Sequence, residues 1–181
     1  NIEQHQVIDH YQHKRHHEQR NVLVEAARIA RGAIHQLEEA NPAEFDAAIL
    51  PGGFGAALNL SDFARRTADT TAPCTLNPAL LDFLNALKNQ HKPVGFICIA
   101  PVIATAVYGA GVEVTIGNDP QVAAKIRAMG GEPISCKVDE CHVDKQRKVV
   151  TTPAYMLAQS ISEAATGIEK LVSHVLHLIE P

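Results

Sequence analysis

The sequence lacks an excess of basic residues, a long apolar run and closely spaced cysteine pairs, and each absence excludes a class of protein. Lys and Arg total 16 against 20 Asp and Glu, a net charge of −4, which excludes a basic nucleic-acid footprint. No apolar run approaches the length of a membrane span. The four cysteines form no CxxC pair, and the polar first residues do not resemble a secretory leader. We therefore expect free thiols and a cytoplasmic location rather than a secreted disulfide framework.

The remaining composition is that of an ordinary globular protein. At 181 residues and 46% hydrophobic content, the chain can bury a sizeable core without disulfides. It has no internal repeat and no low-complexity linker. We predict one domain over residues 1–181.

Short apolar runs alternate with helix-start signals along the chain. The runs at 47–50, 93–97, 112–116 and 149–152 predict buried strands, and 141–144 with 148–151 predicts a hairpin. A capping residue followed by Pro predicts helices that start near 42, 78, 120 and 153. Apolar stripes at helical spacing predict further helices near 21–31 and at the C-terminus. This alternation predicts a three-layer α/β fold with a mostly parallel sheet.

The string Pro51-Gly-Gly-Phe-Gly55 follows the first predicted buried strand. Ligands in α/β sheets bind beyond the carboxyl ends of the strands, and adjacent glycines allow backbone N–H groups to turn toward an oxyanion. The alternative is an ordinary glycine-rich turn. The string matches neither the dinucleotide fingerprint nor the P-loop.

Cys98 lies where the strand Gly95-Phe-Ile-Cys98 meets a helical stretch that opens near Ala100. A strand, a tight turn and a helix with a nucleophile at the turn is the elbow arrangement of hydrolases. The positive end of the helix dipole there would favour the thiolate. The alternative is a buried structural cysteine. We interpret Cys74, Cys136 and Cys141 as structural cysteines, and we expect Cys74 to be exposed because it lies in a polar loop.

Catalytic partners for Cys98 are sparse in the sequence. Ile99 occupies the position where a directly following His would be a strong signal, and His142-Val-Asp144 falls inside the predicted hairpin. The absence of a late His-x-Glu pair argues against glutamine hydrolysis. Five histidines cluster among residues 5–17, where we expect an exposed surface segment rather than a metal site, although His13 and His17 could share a helix face.

Four strings resemble one known family, the ElbB family (enhancing lycopene biosynthesis protein, or sigma cross-reacting protein) of the ThiJ/PfpI superfamily. They are Arg20-Asn-Val-Leu-Val-Glu-Ala-Ala-Arg-Ile-Ala-Arg-Gly32, Pro51-Gly-Gly-Phe-Gly-Ala-Ala-Leu-Asn-Leu60, Gly95-Phe-Ile-Cys-Ile-Ala-Pro101 and Val150-Thr-Thr-Pro-Ala-Tyr-Met-Leu-Ala158. The resemblance extends from about residue 7 to residue 180. It implies the flavodoxin-like sandwich of class I glutamine amidotransferases.

The resemblance also implies a glyoxalase that converts glyoxal to glycolate without a cofactor or a metal. Cys98 is then the nucleophile that forms a hemithioacetal, and the backbone N–H groups of Gly53 and Ile99 are the oxyanion donors. The implied partners are a small dicarbonyl substrate and a second copy in a homodimer, with no nucleic acid and no membrane. The alternatives are a cysteine-based redox sensor or interaction protein linked to isoprenoid metabolism, and an amidotransferase subunit.

One departure from the family concerns the N-terminus. The resemblance implies a strand–helix–strand before Asn1, with a glycine-rich loop and an acidic residue that would stand beside Cys98. We therefore expect the sequence to lack its first strand–helix–strand. A sheet without that strand would expose apolar surface on both faces.

Overall fold

The computed structural model describes residues 1–67 and 71–179. These residues fall into two compact units, Asn1–Asn41 and Pro42–Pro181. The prediction of a single domain over 1–181 stays a prediction. Within the described residues, no helix has the length and apolar character needed to cross a membrane.

The first unit contains a hairpin and a short helix. Strands β1 (Val7–Asp9) and β2 (Lys14–His16) pair antiparallel, and helix α1 spans Val22–Ala30. The Asn21 side chain caps α1 by accepting a hydrogen bond from the Val24 N–H at 3.1 Å. The suggestion that His13 and His17 share one face of a helix is wrong. His13 lies in the turn of the β1–β2 hairpin, with φ of 53°.

The clustered histidines are exposed, as predicted. His5, His10, His13, His16 and His17 all lie on the surface. Among the described residues, no group of three or more His, Cys, Asp or Glu side chains could hold a metal ion.

The second unit is built on a four-stranded sheet. Its strands are β3 (Ala48–Leu50), β4 (Val94–Ile97), β7 (His142–Asp144) and β8 (Val149–Thr152), in the order β3-β4-β8-β7. The first three neighbours run parallel and β7 runs antiparallel to β8. A second, two-stranded parallel sheet pairs β5 (Glu113–Val114) with β6 (Glu132–Pro133). The predicted α/β architecture with a mostly parallel sheet is confirmed.

Helices pack on both faces of the four-stranded sheet. Helix α3 (Pro101–Tyr108) contacts β4, and α5 (Ile161–Ile179) contacts β4 and β8. Helix α2 (Pro78–Asn89) packs against α3, and α4 (Pro120–Ala128) packs against β6 of the second sheet. On one face, Leu171 and Val175 of α5 pack against Val150. On the other, Phe96 meets the ring of Tyr108 edge-on at 6.5 Å. Because successive strand residues point to opposite faces, the apolar run 93–97 supplies both layers of the core.

Two of the four predicted Pro-led helices are wrong. Asn77 and Asp119 do cap α2 and α4 through their side-chain oxygens. Pro42–Glu44 and Ala154–Met156, however, are single 3-10 turns. Strand β3 begins four residues after the first turn and leaves no room for a helix, while Ala154 has φ of 43°, which an α-helix does not accept.

Candidate active site

Cys98 lies at the turn between β4 and α3 in a left-handed backbone conformation. Strand β4 ends at Ile97, α3 begins at Pro101, and Cys98 has φ of 63°. A residue other than glycine in this region costs on the order of 1–3 kcal/mol, and such strain concentrates at functional sites. The structure therefore has the strand–turn–helix arrangement predicted from the sequence, with the strain located at the cysteine itself.

Neighbouring strands hold the strained turn in place. The Cys98 N–H donates to the Thr152 carbonyl oxygen at 2.9 Å, and the Ala100 N–H donates to the Ile97 carbonyl oxygen at 3.1 Å. The first bond continues the β4–β8 ladder, which pairs Ile97 with Thr152. The loop after β8 thus begins beside Cys98, whose side chain is half-buried.

Gly52 makes the closest approach to this turn. A Cβ atom on Gly52 would lie 2.6 Å from the Ile97 carbonyl oxygen, 2.8 Å from the Cys98 Cβ and 3.0 Å from the Ile99 nitrogen. Real Cβ atoms do not come this close, so only glycine fits the position. The adjacent glycines at 52 and 53 were the signal in the sequence, but our prediction named Gly53 and missed Gly52.

The two predicted oxyanion donors, the N–H groups of Gly53 and Ile99, belong to the segments that meet at the Cys98 turn. Gly53 has φ of 83°, with open space where a side chain would stand. Within the described part of the chain, the Gly53 and Ile99 N–H groups donate no hydrogen bond to protein. The Ile99 nitrogen is also among the atoms that Gly52 approaches. Free backbone N–H groups beside the Cys98 thiol could stabilise a negative oxygen. That role for Gly53 and Ile99 stays a prediction.

The cysteine has no acid or base partner among the described residues. No described carboxylate or imidazole makes a hydrogen bond or ion pair with the Cys98 sulfur. The loop that begins beside it, residues 153–159, carries no His and no carboxylate. This part of the chain therefore has no Cys–His–Glu triad of the kind that glutamine hydrolysis would need.

The His142-Val-Asp144 string has other partners. His142 Nε2 lies 2.7 Å from the Glu113 carboxylate. The Asp144 carboxylate accepts hydrogen bonds from the Glu113 N–H at 3.1 Å and from Arg147. These contacts attach β5 to β7, so both side chains join the two sheets.

The remaining cysteines differ from Cys98 in their surroundings. Cys74 is buried, with its sulfur 3.5 Å from Met129 Sδ and 3.8 Å from Arg66 Nη1. Our expectation that Cys74 is exposed in a polar loop is wrong, because the side chains of Arg66 and Met129 cover it. Burial raises the pKa of the Cys74, Cys136 and Cys141 thiols.

Comparison with known proteins places the chain in a family. No protein-family model matches it. A Rattus norvegicus protein, ES1 protein homolog, mitochondrial, is 42% identical over 187 aligned positions that cover 98% of this chain and 68% of the rat protein. The chain belongs to the ES1 family. A human relative with the same identity and coverage is named glutamine amidotransferase-like class 1 domain-containing protein 3, mitochondrial (Homo sapiens).

Solved structures agree on the fold of this ES1-family chain. An Ehrlichia chaffeensis isoprenoid biosynthesis protein with an amidotransferase-like domain superposes with a TM-score of 0.87 at 32% identity, covering 98% of this chain and 80% of that one. A Francisella tularensis protein, Rapid Encystment Protein 24 kDa, superposes with a TM-score of 0.54 at 17% identity, covering 80% of this chain and 63% of that one. The second likeness shows the fold alone. The chain therefore has the amidotransferase-like α/β fold.

Proposed function

We propose that this chain is a glyoxalase-type enzyme in which Cys98 converts glyoxal to glycolate without a cofactor. The supporting observation is the left-handed backbone of Cys98 at the end of β4, with φ of 63°. That conformation holds a nucleophile above the carboxyl edge of a parallel sheet. The glycine contact at Gly52 and the free N–H groups of Gly53 and Ile99 add a place for a developing negative oxygen.

The proposed chemistry needs no redox partner. The Cys98 thiolate adds to one aldehyde carbon, the C–S bond forms, and the carbonyl electron pair moves to oxygen as the alkoxide of a hemithioacetal. A proton then moves from the sulfur-bearing carbon to the neighbouring carbon, which gives a thioester of glycolate. Water adds to the thioester, the C–S bond breaks, and glycolate and the thiol are released. One carbon is oxidised while the other is reduced, so electrons balance within the substrate.

The proton shift between the two carbons requires a base. The ElbB resemblance implies an acidic residue in this role, and no described carboxylate or imidazole contacts the Cys98 sulfur. The elbow therefore supplies the nucleophile and the oxyanion donors, and water or hydroxide in the open site takes the proton from one carbon and returns it to the other.

The experiment is to follow 13C-labelled glyoxal by NMR in the presence of the protein. We expect glycolate to appear at a rate proportional to protein concentration and well above the rate in buffer. A Cys136→Ser variant serves as the matched control, because Cys136 is also half-buried but lies outside the elbow. Glyoxal that disappears only at the buffer rate would contradict the proposal.

A cysteine-based redox sensor or interaction protein is the second candidate. It is favoured by one observation, the lack of a described carboxylate or imidazole in contact with the Cys98 sulfur. A strained, half-buried thiol can be oxidised to the sulfenic level without turnover. Dimedone labelling of Cys98 after peroxide, together with no glycolate formation, is the result that would select this candidate.

A further inference from the structure

The three loops that meet at the Cys98 turn carry no charged side chain. Residues 51–60 follow β3, residues 98–100 follow β4, and residues 153–159 follow β8, and none of them contains Asp, Glu, Lys, Arg or His. Since β3, β4 and β8 run parallel, these loops lie at one edge of the sheet. We call this edge, with Cys98 at its centre, the mouth.

Charged groups adjoining the mouth are engaged elsewhere or are acidic. Leu157, from the loop after β8, packs on Gly117, and the Asp119 carboxylate beyond it accepts hydrogen bonds from the Gln121 and Val122 N–H groups. Glu140 reaches the edge through its backbone carbonyl oxygen, which accepts a hydrogen bond from Thr152 Oγ1 at 2.8 Å. The Lys170 ammonium pairs with the Asp139 carboxylate, one residue before Glu140, at 4.0 Å. The three loops themselves contribute no cation that could pair with a carboxylate or phosphate of a ligand, so the mouth is suited to an uncharged substrate.

Two exposed aromatic rings stand on separate loops of the mouth. Phe54 follows Gly53 and is 78% exposed, and Tyr155 follows Ala154 and is 59% exposed. The chain has only five Phe and three Tyr and no Trp, so two of its few rings are left uncovered at the edge that holds the strained cysteine. Exposed apolar surface contributed by adjoining loops can form a ligand-binding surface, and rings recognise flat apolar groups.

We propose that the mouth selects uncharged α-oxoaldehydes that carry a flat apolar substituent, with Phe54 and Tyr155 as the residues that determine this specificity. This inference rests on the proposed function, because it assigns the substrate class to the same Cys98. The aldehyde carbon of such a substrate meets the thiol, and its flat substituent stacks on one or both rings. A carboxylate on that substituent finds no cation in the three loops and is rejected.

The test compares kcat/KM for three α-oxoaldehydes: phenylglyoxal, glyoxal and 4-carboxyphenylglyoxal, which carries a carboxylate on the ring. The Cys98→Ser rate is subtracted to remove modification of arginine by the aldehydes. We expect the wild-type protein to prefer phenylglyoxal to glyoxal and to reject 4-carboxyphenylglyoxal. Removal of one ring in Phe54→Ala or Tyr155→Ala should lower the phenylglyoxal-to-glyoxal ratio by about twofold to tenfold, the worth of an aromatic contact.

Leu176→Ala is the matched control. Leu176 is 56% exposed but lies near the end of α5, where the Leu178 carbonyl oxygen accepts a hydrogen bond from Lys148 Nζ, just before β8 begins. That is the opposite edge of the sheet, so this variant should keep the wild-type ratio. Turnover of both aldehydes with an unchanged ratio in both ring variants would overturn the inference.

Binding is measured separately so that the two proposals can fail separately. Acetophenone, which has the ring of phenylglyoxal without its aldehyde, is the probe in saturation-transfer NMR. We expect transfer to its ring protons with the wild-type protein, and weaker transfer with Phe54→Ala and Tyr155→Ala. If neither aldehyde is turned over, the glyoxalase proposal fails while this measurement still tests the mouth. No transfer to acetophenone with the wild-type protein would overturn the inference.

Discussion

At the scale of single residues, the backbone of the elbow carries most of the argument. Cys98 occupies a left-handed conformation that only tertiary contacts can maintain, with its N–H bound to the Thr152 carbonyl oxygen. The backbone of Gly52 approaches the same turn so closely that a side chain would not fit there. The cysteine and the glycine therefore constrain each other, although 46 residues separate them in the chain.

Gly52→Ala should inactivate the protein while Gly55→Ala should not. A methyl group at Gly52 would lie 2.6 Å from the Ile97 carbonyl oxygen, whereas nothing lies within 4 Å of a Cβ on Gly55. The displaced turn would move the Ile99 N–H, and loss of one oxyanion donor costs about 10²–10³ in turnover. Steady-state glyoxal kinetics check this, with circular dichroism to confirm the fold. Equal activity of the two variants would remove Gly52 from the account of the site.

At the scale of elements, the contact between α5 and the sheet fixes the second unit. Leu171 is fully buried and Val175 nearly so, and both pack on Val150. A Cβ on Gly95 would lie 2.9 Å from Leu171 Cδ2, so β4 uses glycine to let the helix approach closely. Strand β4 leads directly into Cys98, and the position of α5 therefore bears on the elbow.

Leu171→Ala should destabilise the protein much more than Leu176→Ala. Truncation of a fully buried Leu costs about 2–5 kcal/mol, because it removes buried apolar surface and leaves a cavity. Leu176 lies on the same helix but is 56% exposed, so the same truncation should cost less than about 1 kcal/mol. The free energy of unfolding in urea measures both. Similar losses in the two variants would mean that α5 does not dock through Leu171.

At the scale of the whole molecule, burial suppresses the thiolate at Cys74, Cys136 and Cys141. Burial raises the pKa of the Cys74 thiol, where Arg66 partly opposes it, and also that of Cys136 and Cys141. Near neutral pH these three thiols are therefore almost entirely protonated. Cys98 is half-buried and stands before the positive end of α3.

Cys98 should be the first thiol to react with peroxide. The thiolate is the reactive species, and the other three sites disfavour it. Brief exposure to peroxide followed by peptide mass spectrometry at each cysteine makes the comparison. Faster oxidation of Cys136 or Cys141, which are half-buried like Cys98, would contradict this prediction, because all three thiols are similarly accessible.

Much of this architecture was predictable because local signals and packing agree. The apolar runs that became β3, β4 and β8, and the Asn77 and Asp119 caps, depend on nearby residues alone. The two failed helices depend on chain geometry that no capping signal contains, as the φ of 43° at Ala154 shows. The burial of Cys74 arises from Met129, 55 residues away, and the contact of Gly52 with the elbow is equally non-local.

The candidate site was predictable to the same degree. The Cys98 turn follows from a buried strand that meets a helix start, which is a local pattern. The pairing of β4 with β8 brings the loop after Thr152 beside the Cys98 backbone. It follows from the sheet order and could not be predicted from the spacing of residues. The charge-free mouth becomes visible only once three separate loops are known to meet.

The measurement that tests the central claim most directly is the glyoxal turnover of Cys98→Ser beside the wild-type protein. A serine hydroxyl is almost wholly protonated near neutral pH, and no described base contacts this position, so oxygen cannot replace the thiolate. The account predicts loss of glycolate formation with an unchanged circular dichroism spectrum. Retention of more than about a tenth of the wild-type rate would contradict the assignment of Cys98 as the nucleophile.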